Sequence, residues 1–385
     1  MTILFEDARA ADFGPLAALR HVGDLRCGAF QFRERLDITA LWGRDTPTQW
    51  SAEQAGLAAN EAGQATQQLR HASVLWSGNE SLEPDTLGVV EEESRGEVVV
   101  AAHLASQRIT PQAVLAGDWP DLPRVKLNVP LLRYPWDLVL RNGEQLTADV
   151  QPNATPSSLD GLRNVTLIGD GLECRGTVTI DPGVVLDTRP GPIRLDDGVR
   201  IKANATIEGP VCIGANSLVQ HHAQIHDGVT LGPWCKAGGE IEASIVQGYT
   251  NKQHLGFLGH SYLGEWINLG AGCTTSDLKN TYGEIAVPLH AADTPVRTGS
   301  QFVGLTCGDY AKLGINTAVP TGAVVGVGSN VMGTSVPKFT GPMQWVVDGQ
   351  AQPFDREKAV VIADRMMQRR KRTMTPVLES LLRAV

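Results

Sequence analysis

Residues 195–236 read LDDGVR IKANAT IEGPVC IGANSL VQHHAQ IHDGVT LGPWCK, seven hexads with no slip between them. Each opens on an aliphatic residue: Leu195, Ile201, Ile207, Ile213, Val219, Ile225 and Leu231. Four positions on stands a small or β-branched residue, at Val199, Ala205, Val211, Ser217, Ala223, Val229 and Cys235. A period of six is neither that of an α-helix nor that of a strand with alternating faces. It marks a solenoid in which each hexad forms one flat side of a coil. The aliphatic side chain stacks on its copy in the next coil, and the small residue fits the tight corner. The fold expected here is a parallel β-helix.

The period extends outward from this run. Upstream it includes Ile168, Cys174, Ile180 and Leu186, followed by a small insertion at Arg189 to Pro192. After Lys236 the phase shifts by two and resumes at Phe257, Leu263 and Leu269. Thr274 to Ser300 is expected to leave the coil as a long excursion before the period returns at Cys307, Leu313, Val319, Val325 and Val331. Forty-one glycines suit a fold that turns three times per coil. Insertions between rigid coils are where a solenoid carries polar chemistry.

The 385 residues are enough for two or more domains, and 42% hydrophobic with 19% charged residues is the composition of a soluble globular protein. A formal charge of −9 argues against nucleic acid or an anionic membrane surface as the main partner. The six cysteines form no C-x-x-C pair and read as buried thiols of a reducing compartment. The opening residues are not expected to form a signal peptide, and no apolar run approaches the ~18 residues of a membrane span. The expectation is a cytoplasmic protein.

Three domains are expected: an α/β domain over 1–152, the β-helix over 153–336 and a helical tail over 337–385. In the first, Thr2–Phe5 reads as a strand and Phe13, Leu16 and Leu19 have helical spacing. A polar helix is expected over Ala52 to Leu69, and strands over Gly88–Val90 and Val98–Ala102. Arg20 and Arg26, in an arginine-rich stretch, are candidate phosphate contacts; a salt-bridged helix face explains them equally well. Prolines 120, 123, 130 and 135 indicate an irregular connection, and the domain boundary is placed near Asp149 to Pro156. In the tail Asp355 is a candidate N-cap, followed by the basic residues Arg365, Arg369, Arg370, Lys371 and Arg372. These either belong to a helix that closes the solenoid or hold the 3′-phosphate of coenzyme A.

Polar residues collect between Tyr249 and Tyr282, in YTNKQHLGFLGHSYLGEWINLGAGCTTSDLKNTY. The pattern His254-Leu255, Phe257, Leu258-Gly259 and Asn268-Leu269-Gly270-Ala271-Gly272 is similar to the acetyltransferase domain of the bifunctional N-acetylglucosamine-1-phosphate uridylyltransferase/glucosamine-1-phosphate N-acetyltransferase family. The opening of the chain, with Tyr134 to Val139, resembles a shortened nucleotidyltransferase-like domain in front of such a hexapeptide-repeat acyltransferase. The resemblance implies a left-handed β-helix and a homotrimer that transfers acetyl from acetyl-CoA to the amine of an amino-sugar phosphate.

By that resemblance His254 is the general base, whose unperturbed pKa suits deprotonation of an amine. Asn268 holds sugar hydroxyls or the amine, and backbone amides of the Gly270–Gly272 turn stabilise the oxyanion. Asn251, Lys252, Phe257, Lys279, Asn280 and Tyr282 are expected to bind substrate. Ala271, Gly272, Leu305, Lys312 and Gly326 are expected along the cofactor. Phe257 stands where the family has a tyrosine, and Glu242 where it has a lysine. The glycine-rich phosphate loop and an Asp-x-Asp pair are missing from the first domain, so uridylyl transfer with UTP, and the magnesium ion it would need, depend on features this sequence lacks. Two other readings stand beside this one: an inactive sugar-nucleotide-binding scaffold, and a zinc hydrase using His221, His222 and His226.

Overall fold

The computed structural model describes residues 1–61, 66–92, 96–153, 164–291, 294–334 and 336–385. They form two compact units. The first comprises Met1–Leu25, Phe30–Tyr134 and Thr375–Leu381; the second comprises Arg26–Ala29, Pro135–Met374 and Leu382–Val385. Part of the stretch expected to hold the domain boundary, Asp149 to Pro156, lies outside the described residues.

The first unit is built on a mixed sheet of seven strands: β1 (Thr2–Phe5), β2 (Ala40–Trp42), β3 (Ala58–Ala59), β4 (Gln67–His71), β5 (Thr86–Glu92), β6 (Gly96–Leu104) and β7 (Arg124–Lys126), in the order β3-β2-β1-β4-β6-β5-β7. The first four run parallel, and β6 is antiparallel to both β4 and β5. Ile3, Leu4, Phe5, Leu41, Trp42 and Leu69 are fully buried, as strands covered on both faces require.

The helix expected over Ala52 to Leu69 is not there. α1 spans Asp45–Ala55 and ends because Gly56 takes the left-handed conformation and returns its N–H to the Ala52 carbonyl. The residues beyond it join the sheet as β3 and β4. The helical spacing at Phe13 and Leu16 belongs to a 3-10 segment, Ala8–Leu16, kinked at Gly14. A short helix α2 (Pro111–Ala116) follows β6.

The second unit opens with α3 (Pro135–Asp149) and continues as a three-sided solenoid of parallel sheets. On the first face Leu186, Ile207, Ile225, Ile241 and Leu258 are successive register partners. On the second, Leu195, Ile213, Leu231, Val246 and Leu263 stack in the same way, followed by Cys307 and Val325. On the third, Ile180, Ile201, Val219, Ala237 and Lys252 form one run, and Leu269, Leu313, Val331 and Val346 another. The aliphatic members pack in a single core that also takes up Val199, Ala205, Val211, Ala223, Val229 and Cys235. Each hexad is therefore one face, as its period requires, and the domain is a parallel β-helix. α4 (Arg356–Gln368) and α5 (Pro376–Ala384) follow it.

Two details differ from expectation. The excursion begins later than Thr274, because Thr274 and Thr275 pair with Ala318 and Val319, and Thr275 is buried in an interior position. Beyond it the inserted chain forms the antiparallel pair Ala286–Val287 and Val296–Arg297. The corner between the second and third faces takes a left-handed residue coil after coil, and in four successive coils aromatic residues fill it: φ is 60° at Trp234, 52° at Tyr249, 60° at Trp266 and 61° at Tyr310. Side chains normally avoid this region. Here the rings offset the strain by stacking, Tyr249 on Trp266 at 4.4 Å and Trp266 on Tyr310 at 6.2 Å between centroids. Among the described residues no helix is long and apolar enough to cross a membrane.

Candidate functional site

Because successive residues of a strand point to opposite sides, each interior residue of the third face has an outward neighbour. These outward residues form a second register: Arg200, Leu218, Lys236, Asn251, Asn268, Lys312 and Asn330. Three of the expected site residues, Asn251, Asn268 and Lys312, thus share one row across consecutive coils. With Lys236 they line a cavity of about 370 Å³, edged by Tyr249 and Trp266 and faced by Arg369 and Arg370 from the end of α4.

Asn251 Nδ2 lies 3.5 Å from Asn268 Oδ1, and Arg370 Nη2 donates to Asn251 Oδ1 at 3.2 Å. Lys312 Nζ donates to the Tyr310 carbonyl at 2.7 Å. Burial pulls its ammonium down to about 8. Burial also lowers Lys236, helped by the neighbouring charges of Arg370, Arg369 and Lys202. A larger open cavity, about 830 Å³, lies beside Trp345, Phe354 and α4, and of the residues singled out in the sequence it is lined by Asp355 and Arg365.

His254 sits at the corner where the third face passes into the first, between the strands Asn251–Lys252 and Phe257–Gly259. Its imidazole is exposed, with Gln253 Nε2 3.3 Å from its Nε2, and Gln253 is itself part of the cavity wall. Along the same corner Leu255 is 73% and Ile315 70% exposed. Ala271 lies between them: Gly272 N donates to Leu255 O, and Asn316 N to Ala271 O. An unburied apolar ridge therefore adjoins the imidazole.

Other expected residues are placed differently. Lys252 is a core residue in register with Ala237, and its ammonium donates to the carbonyls of Gly238, His254 and Gly256 at 2.7, 2.8 and 2.8 Å. With its donors used internally, it holds the His254 loop and does not face a substrate. The amides of Gly270 and Gly272 are spent on Leu313 O and Leu255 O, so they form no oxyanion hole. Leu305 is a core side chain at the corner between the first and second faces, and Gly326 lies after the second-face strand Val324–Val325. Within one chain these two do not meet Ala271.

Phe257 opens a first-face strand, its N–H on Thr274 Oγ1. Lys279, Asn280 and Tyr282 lie in the excursion, Lys279 Nζ on Glu284 O at 2.5 Å and Tyr282 68% exposed. Arg20 and Arg26 fall in different units. Arg26 Nε donates to Gln247 O, and Arg33 pairs with Asp24. Arg26 and Arg33 are thus each tied within their own unit.

Just beyond the carboxyl end of β1, Glu6 is held by Arg44 and Asp7 by His71 and Arg9. His226 lies between Glu208 and Glu240, and no group of three or more residues able to hold a metal occurs among the described residues.

Arg369 and Arg370, read from the sequence as part of a closing helix or as phosphate contacts, face the third-face cavity. Sequence reasoning missed the pair His260 Nδ1 and Asp277 Oδ2 at 2.8 Å, with Phe302 stacked on the imidazole. That pair was within reach, since seventeen residues separate its members, the spacing of Ile241 and Leu258 one coil apart on the first face.

The fold and its outward rows define a hexapeptide-repeat β-helix protein with a mixed α/β unit on its N-terminal side. By sequence, part of the chain is similar to bifunctional GlmU proteins. It is 30% identical over 122 residues to a "Bifunctional protein GlmU" of Janthinobacterium sp. (strain Marseille), covering 27% of this chain and 26% of the relative. It is 28% identical over 178 residues to that of Xanthomonas campestris pv. campestris, covering 44% and 36%. The chain thus spans between about a quarter and a third of the lengths of these two relatives. A hexapeptide transferase family protein from Anaplasma phagocytophilum aligns with 57% of this chain and 96% of its own, at 12% identity and a TM-score of 0.24. No family model matches.

Proposed function

We propose that the β-helix transfers an acetyl group from acetyl-CoA to the amine of an amino-sugar phosphate, with His254 as general base. The observation that carries this reading is the placement of His254. It is solvent-accessible, fixed from beneath by Lys252, beside the Leu255–Ile315 ridge, and joined through Gln253 to the wall of a polar cavity. Acetyl-CoA would supply the activated acyl carbon as a thioester.

An amino sugar is largely ammonium at neutral pH and does not attack a carbonyl until it loses a proton. The ammonium first gives one proton to solvent; His254 then accepts a second from the amine nitrogen as that nitrogen bonds to the acyl carbon and the carbon–sulfur bond breaks, and returns it to the departing thiolate. Asn251 and Asn268 offer amide donors and acceptors for sugar hydroxyls, and the exposed ridge suits the apolar arm of the thioester. We further propose a homotrimer, in which a neighbouring chain would complete the groove that Ala271 lines. The protein is proposed to be cytoplasmic.

Nucleotidyl transfer finds less support. The carboxylates at the head of β1 are paired internally, and the phosphate loop is missing from the sequence. A scaffold that binds without turnover is favoured by Glu242 and Phe257, each of which removes a group able to hold a sugar phosphate.

The test is thiol release from acetyl-CoA with glucosamine-1-phosphate, wild type beside His254→Ala, with pyrophosphate release from UTP and N-acetylglucosamine-1-phosphate followed separately. Loss of a general base is expected to lower turnover by about 10²–10⁴-fold. Saturable acetyl-CoA binding without turnover on any amino sugar would favour the scaffold.

A further inference from the structure

One corner row of the solenoid leads to His254. The residues that follow four successive third-face strands are Lys202, Gln220, Gly238 and Gln253. Three of their side chains are joined end to end and run on to the imidazole. Lys202 Nζ donates to Gln220 Oε1 at 2.9 Å, Gln220 Nε2 donates to Gln253 Oε1 at 3.4 Å, and Gln253 Nε2 lies 3.3 Å from His254 Nε2. Gly238 leaves the path open. A Cβ there would stand 3.1 Å from Gln220 Cβ and 2.3 Å from the Gln253 carbonyl oxygen, so a side chain in that coil would crowd both glutamines.

A side-chain amide can turn over and exchange its oxygen for its nitrogen, so neither glutamine fixes the direction of this row. The lysine end does, because an ammonium only donates. Gln220 must present its oxygen to Lys202 and its NH2 to Gln253. Gln253 then presents its oxygen to Gln220 and its NH2 to the ring. An amide N–H bonds to Nε2 only where that nitrogen has a free lone pair, which leaves the ring proton on Nδ1. We infer that Lys202, Gln220 and Gln253 are positioning residues that set the tautomer of His254, holding its Nε2 unprotonated beside the Gln253 amide in the cavity wall. The last two contacts are long, so they fix direction more than they add energy.

The catalytic meaning of this relay rests on the proposed base; the tautomer itself does not. Free histidine side chains in water favour the proton on Nε2, the form in which that nitrogen accepts nothing. The relay selects the other form, so the nitrogen beside the cavity wall enters the reaction with its lone pair. A substrate N–H takes the place of the Gln253 N–H, a weak contact to displace at 3.3 Å. Nε2 takes the amine's proton as the carbon–nitrogen bond forms. A row ending in a donor has no acceptor for a protonated Nε2, and the proton passes on to the thiolate as the carbon–sulfur bond breaks.

The experiment is magic-angle-spinning NMR of the full chain isotope-labelled at histidine, in alkaline buffer where imidazoles are neutral, with the His254 signals assigned by their loss in His254→Ala. Wild type is expected to carry the ring proton on Nδ1. Lys202→Arg keeps a donor-only end and should keep that tautomer. Lys202→Met frees both amides to turn over and should give a mixture. If Lys202→Met melts early, the isosteric Gln253→Glu, which offers the ring only acceptors, should still move the proton to Nε2. In acetyl transfer Lys202→Met should lower kcat about fivefold, the worth of one hydrogen bond, with KM little changed, and Lys202→Arg should restore it. The inference is overturned if wild type holds the proton on Nε2, or if Lys202→Met and Gln253→Glu leave the tautomer as it was. An altered tautomer with unaltered kcat would overturn the positioning role. The expected tautomer in a protein that transfers no acetyl group would sink the proposed reaction and leave the relay standing.

Discussion

Lys252 shows how one residue can mislead when read alone and become informative in register. Among asparagine, glutamine and histidine a lysine reads as surface, yet the third-face ladder puts it beneath Ala237, where an aliphatic residue belongs. The ammonium is tolerable there because three carbonyls accept its protons, and two of them, on His254 and Gly256, belong to the loop that carries the proposed base. Lys252→Met keeps the stem and loses the charge-assisted bonds. It should cost on the order of 3 kcal/mol in urea unfolding and lower kcat more than it raises KM. A variant with wild-type stability would mean the loop holds itself.

Lys312 gives a pH signature instead. Its folded pKa of about 8 lies below the ordinary lysine value of 10.5. From pH 8 to 10.5 the unfolded chain keeps a proton that the folded protein has released, so this group's contribution to stability rises with pH across that window. Urea midpoints at both ends of the window, for wild type and Lys312→Met, should show a gain that the variant lacks.

At the scale of elements, the hexads specify the three faces because a residue that stacks on its own copy repeats visibly in sequence. Even the insertion at Arg189 to Pro192 is legible, since register partners stand twenty-one apart across it, Ile180 with Ile201, and eighteen apart afterwards, Ile201 with Val219. The corner residues are not legible in this way. Left-handed backbone is usually announced by glycine or asparagine, as at Gly198 and Asn216, whereas Trp234, Tyr249, Trp266 and Tyr310 hold the same corner and read as ordinary core aromatics. Likewise α1 stops at Gly56 although the polar pattern runs on, because Ala58 and Ala59 find strand partners in Ala40 and Leu41.

The aromatic corner makes a quantitative demand. Trp266 is 6% exposed between two stacked rings, so Trp266→Ala should cost about 3–5 kcal/mol. Trp234, 37% exposed and with no ring stacked on it among the described residues, should cost far less when truncated. Equal losses at the two positions would show that the corner depends on the backbone turn alone.

At the scale of the whole molecule, the solenoid unit is discontinuous in sequence, which no repeat can reveal. Arg26–Ala29 lies more than a hundred residues before α3 yet belongs to this unit. The Arg26 N–H donates to the Tyr262 hydroxyl at 2.8 Å, the Ala29 N–H to Asp149 at 2.9 Å, and Thr230 Oγ1 to the Gly28 carbonyl at 2.9 Å. Asn142, fully buried on α3, ties the arrangement together. It accepts from Gly28 N at 2.7 Å and donates to Gly228 O at 2.8 Å, so one side chain joins the early segment to a coil some two hundred residues later.

The short segment has little apolar surface of its own to hold it, and backbone groups buried without partners are costly. Asn142→Ala therefore removes more than one contact, leaving the Gly28 amide and the Gly228 carbonyl each short of a partner. The expected loss is on the order of 3 kcal/mol by urea or thermal unfolding, accompanied by faster amide hydrogen exchange at residues 26–29. A loss under about 1 kcal/mol, with exchange unchanged, would mean that chain connectivity alone keeps this segment in place and that the second unit is complete from Pro135 onward.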